Sequence, residues 1–241
     1  MSIELNLFLI SLLVVFIAAW VQGALGMGFG QIAAAGLIWT IPAYLPSAII
    51  LMALIVAIIA LRQEWQSTDR FALGWSFSGR IIGTLLAIPL LLMMSDAGSF
   101  ELFFGVLLLI GVILSVVKVQ FNFNRNSLLA AGTLSGVMGT ITSVGAPPMG
   151  LVFQKQAAVR ARPTLNAFFA AGATFSLIVL WFAGRFDSSH VLMALWLSPG
   201  FILGVWCSRF IKKLTGDFFR PLVLIFATAS ALALIFNALL Q

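Results

Sequence analysis

Apolar residues fill the chain in eight stretches, at 5–41, 46–61, 71–94, 100–117, 127–153, 164–184, 190–208 and 218–240, separated by short polar segments. One helical crossing of a bilayer takes about 20 residues. Six stretches fit one crossing each, some of them tightly, but 5–41 is too long, and both it and 127–153 are interrupted near the middle. The first interruption is Gln22-Gly-Ala-Leu-Gly-Met-Gly-Phe-Gly-Gln31. The second is Ser135-Gly-Val-Met-Gly-Thr-Ile-Thr-Ser-Val-Gly-Ala-Pro-Pro-Met-Gly150. Gly costs about 1 kcal/mol and Pro about 3 kcal/mol in a helix interior. Pro147 and Pro148 also lack amide donors and bias the residue before them away from helix. Non-helical backbone at membrane depth persists only where it is buried in protein or lines a cavity. Each interrupted stretch is therefore read as a hairpin that enters the membrane, turns at its break and leaves on the side it entered.

The charges agree with this reading. With two hairpins, the loops 62–70, 118–126, 154–163 and 209–220 share one face. That face collects Arg62, Arg70, Lys118, Arg125, Lys155, Arg160, Arg162, Arg209, Lys212, Lys213 and Arg220, whereas the other keeps Arg185 with Glu4, Asp96, Glu101 and Asp187. The imbalance fits the rule that cytoplasmic loops are rich in Lys and Arg. A single crossing over 127–153 would put Lys155, Arg160 and Arg162 outside.

Composition closes off the other classes. The chain is 62% hydrophobic and 8% charged, with a mean hydropathy of +1.14, against about 25% charged in soluble domains. The stretches are apolar all round, without the alternation of a membrane barrel strand. The net charge of +6 is a matter of loops and gives no reason to expect nucleic acid. Cys207 is the one cysteine, so no disulfide within the chain and no cysteine metal cluster is expected. The first stretch lacks a basic leader and an obvious cleavage site and is read as part of the mature protein.

The two halves repeat. Gly23-x-x-Gly26 matches Gly136-x-x-Gly139. Pro46-Ser47 and Pro163-Thr164 each open the span after a hairpin. Gly79 and Gly83 match Gly200 and Gly204 as small residues four apart, a spacing that lets helices approach closely. Each half holds one hairpin and three crossings, an odd number of crossings, so the second half is inverted. The expected fold is an all-α integral membrane domain over 1–241. It consists of two inverted repeats (1–117 and 127–241, with a linker at 118–126), each a broken re-entrant hairpin plus three transmembrane helices. Paired broken helices in inverted repeats are a secondary-transporter architecture, with the site near the midplane.

Two motifs point to a family. Thr142-Ser-Val-Gly-Ala-Pro-Pro-Met-Gly-Leu-Val-Phe-Gln154, preceded by Ser135-Gly-x-x-Gly139, resembles the second-repeat motif of the TauE/SafE (sulfite exporter) family. Gln22-Gly-x-x-Gly-x-Gly-Phe-Gly30 resembles its first-repeat motif. The family often carries a Gly-Gly-Gly run in both, where this chain has Gly28-Phe-Gly-Gln31 and Gly145-Ala146. The resemblance covers essentially the whole chain. It implies a multi-pass carrier of the bacterial inner membrane for small sulfur-containing anions: sulfite, thiosulfate or an organosulfonate such as sulfoacetate.

The residues offer an anion site at the hairpins. A helix N-terminus has unpaired amides and about half a positive charge. If each returning half-helix points its N-terminus at the midplane, Gln31, Thr142, Ser143 and the amides of Gly28, Gly30, Val144 and Gly145 are candidate donors. Alternatively the glycines permit close packing and the hydroxyls bond back to carbonyls. Arg80 lies nine residues into its span, about 13 Å deep at 1.5 Å per residue, on a stripe with Ser76, Gly79, Gly83, Thr84 and Ala87. Intramembrane charges mark function by default, and a guanidinium suits a sulfonate or sulfite as it suits carboxylate and phosphate. Its alternatives are capping of carbonyls freed at a hairpin tip and snorkelling to the cytoplasm. Asn166 could reach the second hairpin, or cap or pack. His190 is read as interfacial, Cys207 as packing, and Trp65, Trp181 and Trp196 as an aromatic belt.

No Asp or Glu falls in an expected membrane core, and no nucleophile–base pair, His-Glu metal motif or phosphate loop occurs. The expectation is a non-enzymatic, cofactor-free secondary transporter, with export as its direction. Its partners are a small anionic substrate and the lipid bilayer, with no nucleic acid and a homodimer as an allowed assembly. The alternatives are an anion channel and a non-transporting membrane assembly or interaction protein.

Overall fold

The computed structural model describes residues 4–25, 27–62, 64–94, 97–117, 121–208 and 216–240. Gly26, Asp96, Lys118, Arg209, Lys212 and Lys213, all used in the sequence reading, lie outside the described residues, as does the side chain of Arg220. Among the described residues the chain is all-helical: α1 (Leu5–Leu25), α2 (Phe29–Leu37), α3 (Ser47–Leu61), α4 (Arg70–Met93), α5 (Ala97–Val116), α6 (Arg125–Thr142), α7 (Ala146–Phe153), α8 (Ala158–Phe182), α9 (Ser188–Trp196), α10 (Ser198–Ser208) and α11 (Gly216–Leu240). Short 3-10 turns sit at Pro42–Tyr44 and Trp65–Ser67. Helices α1, α4, α5, α8 and α11 are long and apolar enough to cross a membrane, and α9 with α10 would make a sixth span.

Both interrupted stretches form a long helix followed by a short one that runs back along it. In the first, Val21 faces Gly28 and Val14 faces Gly36, and Ser11 Oγ donates to Thr40 Oγ1 at 2.8 Å. In the second, Ser135 Oγ donates to the Gly145 carbonyl at 2.6 Å. The outgoing limbs are longer than a break at mid-stretch implies. α1 has 21 residues and α2 has 9, about 31 Å and 13 Å at 1.5 Å per residue.

Three further expectations are corrected. The stretch 190–208 is two helices, α9 and α10, bent by 51°. Pro199 enters the first turn of α10, and its ring removes an amide and crowds the carbonyl four residues back, which ends α9. Pro163 does not open its span: α8 begins at Ala158 and holds Pro163 inside. Pro46 does precede Ser47, the first residue of α3, but α3 has only 15 residues, too few for the usual core thickness.

The small-residue stripes act as the spacing predicts. A Cβ at Gly79 or Gly83 would strike the carbonyl of Leu129 or Thr133, so α4 and α6 touch along their backbones. A Cβ at Gly200 would lie 2.8 Å from the Leu12 carbonyl, and one at Gly204 would strike that of Phe16, so α10 and α1 touch in the same way. Such contact replaces side-chain interdigitation with close backbone dispersion. The remaining large packings join α5 to α11 and α3 to α8. Caps fix the polar ends: Asp69 accepts from the Ala72 amide and Asn124 from the Ser127 amide, each at 3.0 Å.

At one end of the molecule three basic loops meet. The Asp69 amide donates to Thr164 Oγ1 at 2.9 Å, and Arg162 Nη1 lies 4.0 Å from Glu64 Oε1. The Arg125 guanidinium stands 4.1 Å over the Trp75 ring, and Phe123 packs edge-on against Phe153 at 5.2 Å. The loops 62–70, 121–126 and 154–163 therefore share a face. Trp65, Trp181 and Trp196 are exposed, as an aromatic belt requires.

Candidate functional site

The close contact of α4 with α6 places a charge inside the bundle. Arg80 follows Gly79 on the buried stripe and is only 4% exposed. Its Nη1 donates to the Ser135 carbonyl at 2.6 Å and to Ser135 Oγ at 3.0 Å. Nη2 donates to Ser176 Oγ at 3.3 Å. Ser176 is tied in turn to Thr140 at 2.9 Å, and Thr140 to Thr84 at 3.2 Å. Three glycines close around the guanidinium. A Cβ at Gly145 would fall 2.7 Å from Nη1 and one at Gly172 2.8 Å from Nε, while one at Gly139 would strike Nη1. Nε has no hydrogen-bond partner. Arg80 therefore does not snorkel. It does cap a carbonyl, though one inside α6 and not at the hairpin tip.

The two breaks meet in front of this group. Gly28 turns the first with φ 110°, and Ser143 turns the second with φ 65°. Glycine adopts that left-handed region freely, whereas serine adopts it at a cost. A Cβ at Gly30 would strike the Ser143 carbonyl, so the start of α2 lies directly on the end of α6. Between them is a cavity of about 50 Å³ lined by Arg80, Gln22, the start of α2 (Gly28, Phe29, Gly30), Ser143 and the start of α7 (Gly145, Ala146). Ile50, Ala53, Phe169 and Ala173 form an apolar wall. At about 10–15 Å³ per water, it holds a few waters or a small oxyanion. Positive charge comes from Arg80 and from the N-termini of α2 and α7.

A family model described as Sulfite exporter TauE/SafE matches residues 11–234. The chain belongs to the TauE/SafE family. That makes it a multi-pass membrane protein of a transporter family, not of an enzyme family. No curated protein and no solved structure matches it.

Of the residues singled out from sequence, this TauE/SafE chain brings Arg80, Gly28, Gly30, Ser143 and Gly145 to one cavity. Gln31, Thr142, Val144 and Asn166 are not in its wall. Thr142 Oγ1 donates to the Met138 carbonyl at 2.8 Å and accepts the Val144 amide at 3.2 Å. Ser143 Oγ donates to the Pro46 carbonyl at 3.1 Å. Gln31 is 7% exposed, and its Nε2 has no partner. Asn166 stands one step behind the wall: its Oδ1 accepts from Gln22 Nε2 at 3.1 Å, while Gln22 Oε1 accepts the Phe29 amide at 3.2 Å.

Sequence reasoning left Gln22, Ser135 and Ser176 off the site. Gln22 and Ser135 were visible at the heads of the two break motifs, each directly before a Gly-x-x-Gly. Ser176 had no comparable signal. Among the described residues no cluster of three His, Cys, Asp or Glu side chains could hold a metal ion. His190 caps α9 with Asp187, whose carboxyl is held well below the ordinary range by the Ser189 hydroxyl first and then by His190.

Proposed function

We propose that this protein is a secondary transporter that exports a small sulfur-containing anion, such as sulfite, thiosulfate or a short organosulfonate, across the bacterial inner membrane. One observation carries the reading: a buried guanidinium and the N-termini of two short returning helices converge on a single small cavity. Preorganised donors of this kind bind anions without further charged groups.

The architecture that goes with it is two inverted repeats, 1–117 and 127–241, joined by 118–126. Each is a re-entrant hairpin followed by three membrane elements. Exchanging the halves supports this. It pairs α1–α2 with α6–α7, α3 with α8, α4 with α9–α10 and α5 with α11. It also turns the α4–α6 contact into the α10–α1 contact. Opposite directions are supported by the ends. The carbonyl of Gly23, late in α1, accepts from Arg162 Nη2 at 3.2 Å, at the end where α6 begins. That basic end is the cytoplasmic one by the positive-inside rule.

Electrostatics favours export. A membrane potential, negative inside, is worth about 2.3 kcal/mol per charge per 100 mV and pushes an anion outward. An exporter needs no coupling cation, and an importer needs at least one per anion charge to cancel that term. The test is sulfite movement in proteoliposomes under an imposed potassium-diffusion potential, without a proton or sodium gradient. The potential should drive and redirect flux. Flux that ignores the potential but follows a proton or sodium gradient would contradict uncoupled export.

A further inference from the structure

We infer that the transporter turns over fastest as an anion exchanger, its site crossing back with a second small anion in place of the first, because no carboxylate among the described residues serves Arg80 as a counter-ion. This rests on the transport reading above. The groups touching the guanidinium are neutral: the Ser135 carbonyl and hydroxyl, the Ser176 hydroxyl and the Phe168 ring at 5.8 Å. Nε has no hydrogen-bond partner. The described carboxylates are committed elsewhere. Glu64 faces Arg162, Asp69 caps α4, Asp187 holds Ser189 and His190, and Glu101 accepts from Asn237 at 2.7 Å. Glu4 is exposed at the start of the chain.

The guanidinium cannot turn away from the cavity to find water. Gly139, Gly145 and Gly172 leave no room for a single methyl around it, so it stays fixed in the wall. Shut off from bulk solvent, a cavity of about 50 Å³ would hold few waters to solvate a full charge. Alternating access carries the site through a closed state in which both mouths are shut. With an anion bound, that state is nearly neutral. Empty, it buries a cation and two positive helix ends in a low dielectric, which is costly without a partner. The empty return is therefore the slow step, and any small anion on the far side removes it.

The experiment uses purified wild-type protein in proteoliposomes loaded with labelled sulfite, with the potential clamped at zero. Efflux is measured into unlabelled sulfite and into gluconate, which is too large for the cavity. External sulfite should speed efflux by at least about tenfold, the effect of lifting an unpaired intramembrane charge from the rate-limiting step. Equal efflux into both media would overturn the inference and leave transport standing. No efflux into either medium, repeated with labelled thiosulfate and a short organosulfonate in place of sulfite, would overturn both.

Ser176→Asp supplies the missing counter-ion next to Nη2, and Ser176→Asn is its neutral control. In folded Ser176→Asp the ratio of the two rates should fall close to one while total flux drops. Ser176→Asn should keep the wild-type ratio. An unchanged ratio in Ser176→Asp would show that the charge on Arg80 does not limit the return.

Discussion

The two hairpins solve the same problem with different groups. In the first, the break turns on Gly28, and α2 starts with ordinary residues whose amides are present. The first of these amides, on Phe29, is taken by Gln22, which leaves Gly30 and Gln31 as the next two in the turn. In the second, the break turns on Ser143, and α7 starts Ala146-Pro147-Pro148, so two of its first three residues donate nothing. Here Arg80 stands against the break. Under the proposed repeat, the position matching Arg80 in the other half follows Gly200 as Arg80 follows Gly79. It is Phe201, 2% exposed and part of the apolar core. A guanidinium thus stands against the hairpin whose short helix is poor in amides, and an apolar ring lies on the helix packed against the hairpin whose short helix is rich in them. In the proposed inverted-repeat arrangement, positive potential at the candidate site comes from backbone on one side and from a side chain on the other, so pseudo-symmetry would not require symmetric chemistry.

The largest effect should separate Arg80 from Phe201. Arg80→Ala should lower sulfite transport by about 100-fold and Arg80→Lys by about tenfold, since lysine keeps the charge and loses the planar fork. Phe201→Leu should change transport by less than about twofold and cost on the order of 1 kcal/mol of stability. Initial rates per folded protein, with thermal unfolding alongside, check this. Equal losses at the two positions would mean that both act through packing.

Next in size are the glycines. Gly139→Ala and Gly172→Ala put a methyl into the guanidinium and should cost about 1–3 kcal/mol as overpacked sites, with a large fall in anion affinity. At Gly28 the space is open apart from Val21 at 3.4 Å, so Gly28→Ala should cost only the left-handed penalty, about 1–2 kcal/mol. Chemical denaturation and anion titration distinguish the two patterns.

The smallest effects come from the turns' own hydrogen bonds. Gln22→Ala removes an acceptor for the Phe29 amide and a donor to Asn166 and should cost about 1–2 kcal/mol. Ser143→Gly relieves the left-handed serine and loses the bond to Pro46, two terms of about 1 kcal/mol each, so its stability should stay near wild type. Ser143→Ala keeps the strain and should be the less stable of the two.

Much of this was readable along the chain, because the signals were local. The breaks are written in glycine and proline, Arg80 is a charge in an apolar span, and the stripes at Gly79/Gly83 and Gly200/Gly204 announce backbone contact. What was not readable depends on partners far away in sequence. Pro163 is read as an opener because proline favours a first turn, yet α8 begins at Ala158, with Thr164 receiving the Asp69 amide from another loop. Ser176 becomes a site residue only because α8 lies beside α4, 96 residues distant. Gln22 and Asn166, 144 residues apart, meet only once the halves are docked. The bend at Pro199 was written in the chain, but a continuous apolar run reads as one crossing until packing decides otherwise.

The most direct test of the anion site is equilibrium binding of labelled sulfite, thiosulfate and a short organosulfonate to the purified protein, wild type against Arg80→Gln, with both confirmed folded by their unfolding profiles. The expected result is saturable binding of at least one of these anions at one site per chain, weakened by about tenfold or more in Arg80→Gln, as loss of a charge-assisted contact requires. Binding of equal strength in the two proteins, or no binding of any sulfur anion by the wild type, would contradict the assignment of the cavity at Arg80.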